Sequence, residues 1–377
     1  MRHFFHALKW ILFTLLLIPV SFYLIVTLIN IKDEAPSEQA TTYLTEIDSI
    51  NSELTNNLKN NAYLFALGFD VTKDLSPLDI GIKRFEQIQS QGKAKKYKIA
   101  AFKKPQLPID ECLNKDDFVS ACKAALNKDG APQLHEYLWL LERYQQLLNI
   151  GTWQDGTNFS TFSESTPFSS LLIAQKLYLL NLYTNTNHIE TSLIIDAINR
   201  DMHFWQQISA DTHILIAKMV SSSAIEMNMK LGEIIITQLS KQEARSSLPQ
   251  SWLETMSPKI LSLDNVKIGE WSYFNKTTQA MLAVDDSEDI TTKLTTLLLL
   301  PLMQQQDTAN RYAAILLGTS PRQACPTTLS IDTIGQYVYN PMGKFILCSG
   351  IPSFKRYQES LDNLESKRTS LVERLKQ

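Results

Sequence analysis

Trp10–Ile31 reads WILFTLLLIPVSFYLIVTLINI, with Arg2 and Lys9 before it and Lys32, Asp33 and Glu34 after it. No charged residue interrupts the run. At 1.5 Å per residue it reaches about 33 Å, enough to cross a hydrocarbon core of about 30 Å. Lipid obliges such a segment to satisfy its own peptide groups, so it reads as a transmembrane helix that Pro19 can kink without breaking. The alternative is a cleaved signal peptide, which needs a shorter apolar region and small residues before a cut site. Asn30-Ile31-Lys32-Asp33-Glu34 carries no such pattern. Arg2 and Lys9 lack acidic neighbours while Lys32 has two, which orients the helix. Residues 1–9 are expected in the cytoplasm, 10–31 in the membrane, and the rest on its far side.

The remaining chain of about 345 residues exceeds most single cores, so two packed parts or one elongated helical body are expected. A hydrophobic fraction of 44% and a charged fraction of 20% exclude disorder. Only 12 glycines and 14 prolines separate long apolar-periodic runs, which favours a mainly α class over a β-sandwich. The net charge of −3 argues against nucleic acid as a partner. The six lysines between Lys93 and Lys104, interleaved with Tyr97 and Phe102, are the one basic patch. It suits an anionic strand or surface, or simply a solvated linker.

Helical periodicity runs through most of the chain. Ile47, Ile50, Leu54 and Leu58 mark a membrane-proximal helix after Pro36-Ser37, Gly68 can end the next, and Ser76-Pro77 opens another with Gly81 and Phe85 inward. From Pro132 the signal strengthens through Leu141, Tyr144 and Leu148 to Gly151. Helices over Pro167–Tyr183, Ile189–Ile208 and Asp211 to about Ser240 follow, joined by breaks short enough for a bundle or stacked hairpins. Asp285–Asp289 can start a helix over Thr292–Met303, whose Leu297–Leu300 run is apolar all round and therefore expected to be buried. The last helix carries Phe354, Tyr357, Leu361, Leu364, Leu371 and Leu375 on a heptad-like seam broken by Arg368. It suits a short coiled coil or packing on the protein's own body.

The four cysteines allow three connectivities. An oxidising compartment favours the local pairs Cys112 with Cys122 and Cys325 with Cys348; four buried free thiols are the alternative. Between the second pair, alternation at Leu329 and Ile331, the β-prone Tyr337-Val338-Tyr339 and a type I turn at Asn340-Pro341-Met342-Gly343 predict a small stapled β-hairpin. The expected organisation is membrane-proximal helices, basic linker and cysteine loop over 32–130, a helical body over 131–322, the hairpin over 323–350 and a charged helix over 351–377.

The segment Asn61-Ala62-Tyr63 through Leu67-Gly68-Phe69, with Ser76-Pro77 and Gly81, resembles the opening of a group of bacterial single-pass anchored envelope proteins of unknown function. Asp201-Met202-His203-Phe204-Trp205, Lys218-Met219 and Asn340-Pro341-Met342-Gly343-Lys344 are similar to further patches of that group. The resemblance implies an anchored, mostly helical envelope protein and transfers no catalytic residue.

Catalytic signatures are missing from the sequence: there is no G-x-S-x-G, Walker loop, H-E-x-x-H, G-x-G-x-x-G or EF-hand loop. No cofactor or metal is implied, since neither cysteine spacing is C-x-x-C and His203 with His213 would need further ligands. A cell-wall hydrolase needs two carboxylates across a cleft. Asp110-Glu111 and Asp285–Asp289 are crowded acids that solvated loops explain as well. Asp201, His203 and Trp205 mark a special environment within one helix. The expected function is a membrane-anchored envelope protein that offers a helical domain to a protein partner, with a membrane-tethered hydrolase or ligand binder of cell-wall material as the alternative.

Overall fold

Helix accounts for 74% of the chain, and among the described residues the one extended pairing is an isolated bridge between Val71 and Ala101. The structure, a computed structural model, describes all residues except 1, 90–98, 108, 130–133, 158–164, 240–247, 284–288, 323–324, 327, 329 and 377. Most of the basic patch, Pro132, Ser240, the stretch Asp285–Glu288 and Leu329 therefore lie outside the described residues.

In chain order the helices begin with α1 (Arg2–Ile29), α2 (Glu38–Asn56), α3 (Ala62–Leu67), α4 (Pro77–Gln89), α5 (Ile109–Cys112) and α6 (Phe118–Asp129). Next come α7 (Leu138–Leu148), α8 (Phe168–Thr184), α9 (Thr191–Asp211), α10 (Leu215–Ile236), α11 (Gln250–Leu253) and α12 (Pro258–Leu261). The last are α13 (Asp264–Leu282), α14 (Ile290–Leu299), α15 (Gln305–Leu316), α16 (Ile331–Tyr337), α17 (Pro341–Gly350) and α18 (Phe354–Lys376). The chain forms two compact units, residues 1–48 with 271–352 and residues 49–270 with 353–377.

The larger unit is built on α8, α9 and α10. Polar breaks at Asn185 and Thr212 end apolar-periodic runs, so consecutive helices turn back and pack side by side. On α9, Ile194, Ile198, Met202, Trp205 and Ile208 recur at three- and four-residue spacing and are buried, whereas His203 between them is exposed. Each such Leu, Ile or Met contributes about 1.5–3 kcal/mol of burial. Helices α3 and α4 approach more closely than side chains would allow. A Cβ on Gly81 would stand 1.7 Å from the Leu64 carbonyl oxygen, and one on Gly68 would stand 2.0 Å from that of Pro77.

The C-terminal helix α18 lays Leu361, Leu364 and Leu371 on this unit, all buried. Arg368, which breaks the apolar seam, is buried with them and donates to the Trp252 carbonyl and to both oxygens of Glu365. That carbonyl belongs to the last turn of α11, where the helix has no donor of its own to offer. The seam is thus closed within the chain by a cation that serves a helix end.

In the smaller unit the exit of α1 is tied down by side chains. Asn30 donates to Val338 O and accepts from the Asn340 amide, and Gln304 donates to the Asn30 carbonyl. Asp33 accepts from the amides of Gln306 and Asp307, which are orphan donors in the first turn of α15.

The expected hairpin between Cys325 and Cys348 is not there: Ile331–Tyr337 and Pro341–Gly350 are helices. Asn340 adopts φ 50°, ψ 53°, and its Oδ1 accepts from the Gly343 and Gln304 amides. Asn at the cap followed by Pro at the first helical position is also a helix start, and here it prevails over a turn. Val338 O accepts from the Asn30 side chain, a tertiary bond that a strand ladder would have claimed. The Leu297–Leu300 run is likewise not buried: Leu297 and Leu298 are 57% and 49% exposed. Both local disulfides are present, with Cα separations of 5.1 Å for Cys112–Cys122 and 5.0 Å for Cys325–Cys348.

Candidate functional site

Asp201 and Trp205 stand one turn apart on the buried face of α9, and both reach Tyr144 of α7. The Tyr144 hydroxyl donates to Asp201 Oδ1 at 2.5 Å and accepts from Trp205 Nε1 at 2.9 Å. Gln175 Nε2 of α8 and Asn228 Nδ2 of α10 each donate to Asp201 Oδ2 at 2.8 Å. Asn228 also accepts from Trp252 Nε1 at 2.9 Å. Three neighbouring helices therefore meet α9 on one carboxylate that is wholly buried, and α11 joins one bond further out through Asn228. Burial pushes Asp201 up to about 6, and the donors from Tyr144, Gln175 and Asn228 hold it from rising further. Its bonds tie α7, α8, α9 and α10 to one another.

His203 points away from this network and lines a shallow hollow of about 350 Å³ with Leu148, Ile150, Asp196, Arg200 and Gln207. His213 belongs elsewhere. Its amide and Nδ1 both contact Asp155 Oδ1, at 2.9 and 3.1 Å, while Trp153 and Thr212 donate to Asp155 Oδ2. The two histidines thus enter separate surroundings. Asp110, one of the crowded acids, pairs with Lys176 at 2.6 Å on the surface, and Asp289 caps α14 by accepting from the amides of Thr291 and Thr292. Among the described residues no three His, Cys, Asp or Glu side chains converge.

The larger recess is an open groove of about 380 Å³ between α6, α10 and α18. Phe118, Met229 and Leu371 form its apolar floor, and Glu226, Lys230, Glu233, Lys367 and Arg374 its rim. Every rim acid is engaged. Glu226 accepts from Lys230 at 3.0 Å and Lys367 at 2.6 Å, and Glu233 accepts from Arg374 at 2.9 Å. Burial pushes Glu226 up, but the two ammonium donors outweigh it and hold it below the usual carboxylate range. A general acid needs the opposite shift. An apolar floor inside a charged, water-accessible rim is the anatomy of a protein-binding patch.

Against known protein families, curated proteins and solved structures, the chain has no match.

Neither Tyr144, Gln175 and Asn228 around Asp201 nor the groove was legible beforehand. The first three lie 57, 26 and 27 residues from Asp201, and nothing local signals that they converge. The groove residues lie on three helices more than 100 residues apart at the extremes. Lys218, buried four residues into α10, donates its Nζ to the carbonyls of Ser209 and Lys259.

Proposed function

We propose that this chain is a single-pass, membrane-anchored bacterial envelope protein that holds a disulfide-bonded helical body in the periplasm and offers its groove to a protein partner. The observation that carries this reading is the span Lys9–Ile29, 21 residues whose most apolar 18-residue stretch has a mean hydropathy of 2.5 and only 6% of its residues buried. Leu15, Leu16, Leu24 and Leu28 are each more than half exposed, a face that water would reject and lipid accepts. The two disulfides suit an oxidising compartment. The groove, with its paired charges around Phe118, Met229 and Leu371, fits a helix or extended peptide that inserts an apolar side chain and meets the rim charges with its own.

Two experiments test the reading. A reporter active only in the periplasm, fused after Gln377, is active, and a fusion active only in the cytoplasm overturns the orientation. A photo-crosslinking residue at Ser370, on the exposed rim, gives one discrete adduct in native membranes that the Met229→Arg substitution abolishes. An adduct that persists in Met229→Arg removes the groove from the proposal.

A further inference from the structure

Helix α14 and the 3-10 turn Leu300–Leu302 carry an apolar stripe that faces outward. Ile290 is 84% exposed, Leu294 57%, Leu297 57%, Leu298 49% and Leu300 39%. The spacing of the first four, 0, 4, 7 and 8, places them on one side of a 3.6-residue helix. In a water-soluble helix that side is turned to the core; here it is turned away from the protein. An isolated exposed leucine needs no explanation, but a contiguous stripe marks a surface with an occupant.

The position of the stripe identifies that occupant. The Tyr23 hydroxyl of α1 donates to the Leu298 carbonyl at 2.9 Å, and the 3-10 turn packs on α1. Tyr23 lies seven residues before Asn30, where side chains tie down the exit of α1, so Leu298 is level with a point about 10 Å inside the span. Leu24 and Leu28, on the same stretch of α1, are exposed as the stripe is. Asp289 at the start of α14 is exposed, and ten residues reach about 15 Å, half of what crossing requires.

We propose that α14 with its 3-10 turn is a second membrane-contacting element, seated without crossing in the periplasmic leaflet beside α1, with lipid acyl chains covering Ile290, Leu294, Leu297 and Leu298. The proposal rests on the reading of α1 as a membrane span. The anchored body is then held to the bilayer at two adjacent points, which restrains its swivel about α1.

The test uses the full-length protein in liposomes. All four native cysteines are in disulfides, so a single added cysteine can carry an environment-sensitive fluorophore. The substitutions are Leu294→Cys, Leu24→Cys in α1, and Ile331→Cys, an exposed apolar position outside the stripe. Lipids with a spin label on the acyl chain are expected to quench the first two several-fold and leave the third unchanged. Quenching at position 24 without quenching at 294 overturns the proposal and leaves the anchor standing. Quenching at neither removes the anchor itself, and the proposal with it. A label at 294 that is shielded from water yet unquenched by lipid shows a second copy or another protein on the stripe, and this also overturns the proposal.

Discussion

Gly81→Ala adds one methyl group where α3 and α4 meet, and the geometry predicts a large cost. The new Cβ would stand 1.7 Å from Leu64 O and 2.7 Å from Leu64 C, with Gly68 N at 3.2 Å. Carbon and oxygen settle near 3.2 Å or more, so the helices must part by about 1.5 Å. The obstructing atoms are backbone, so no rotamer change relieves them, and Tyr63, Leu64, Phe65 and Leu67, all buried in the same core, lose contacts as α3 moves. Overpacking costs about 1–3 kcal/mol where side chains can adjust. With backbone on both sides about 3 kcal/mol or more is expected, and for a unit of this size that lowers the melting temperature by about 6–12 °C. Gly151→Ala is the control, since its Cβ meets nothing within 4 Å; it is expected to be neutral or to stabilise by about 0.4–1 kcal/mol through the unfolded chain. Thermal unfolding followed by circular dichroism at 222 nm, with disulfides intact, measures both. Equal melting temperatures for the two variants would refute the close approach of α3 and α4.

Three further outcomes follow from the geometry. Asp201 has a raised folded-state pKa of about 6, so its contribution is fully present below the unfolded value near 4 and is lost as pH rises through 6, by about 3 kcal/mol in all. Urea unfolding of wild type and Asp201→Asn at pH 4.5 and 7.5 should show the variant gaining on wild type as pH rises; parallel pH profiles exclude this carboxylate as the cause. Arg368→Met keeps the buried stem but strands the Trp252 carbonyl and leaves Glu365 with the Met256 amide alone, and is expected to cost about 1.5–3 kcal/mol in urea unfolding; a neutral result would show that α18 is held by its leucines alone. Cys348→Ser opens a loop of sequence separation 23 and should remove about 3 kcal/mol in the chain-entropy account while leaving most of the helical signal. Free thiols at both Cys325 and Cys348 in protein from its native membrane would cancel that prediction.

What could be read from the sequence was local. The apolar run of α1 and the periodic stretches of α8, α9 and α10 each carry their signal within one element, and the mainly helical class follows from their sum. Asn340-Pro341-Met342-Gly343 was equally local but ambiguous, since the same residues serve a β-turn or a helix cap. The choice was made by Gln304 and Asn30, which bond to Asn340 from 36 and 310 residues away. Leu297–Leu300 misled because full apolarity implies an apolar surrounding without saying whose, and among the described residues the chain itself does not supply it. Asp201 and Trp205 announced an unusual environment, but the three donors on other helices that define it did not, and His203, adjacent in sequence, faces the opposite way.

The bonds that fasten the end of α1 also set a timetable for the cell. Asn30 meets Gln304 only 274 residues later and its set of partners is complete only with Asn340, 310 residues later, and at about 5–20 residues per second synthesis takes some 15–60 s to get there. The larger unit is completed later still, since it includes residues 353–377. For that interval the chain carries an unfinished, sticky surface. A ribosome stalled before codon 340 should leave a product that proteases clear quickly, so the time the chain spends unfinished helps decide how much protein the cell keeps.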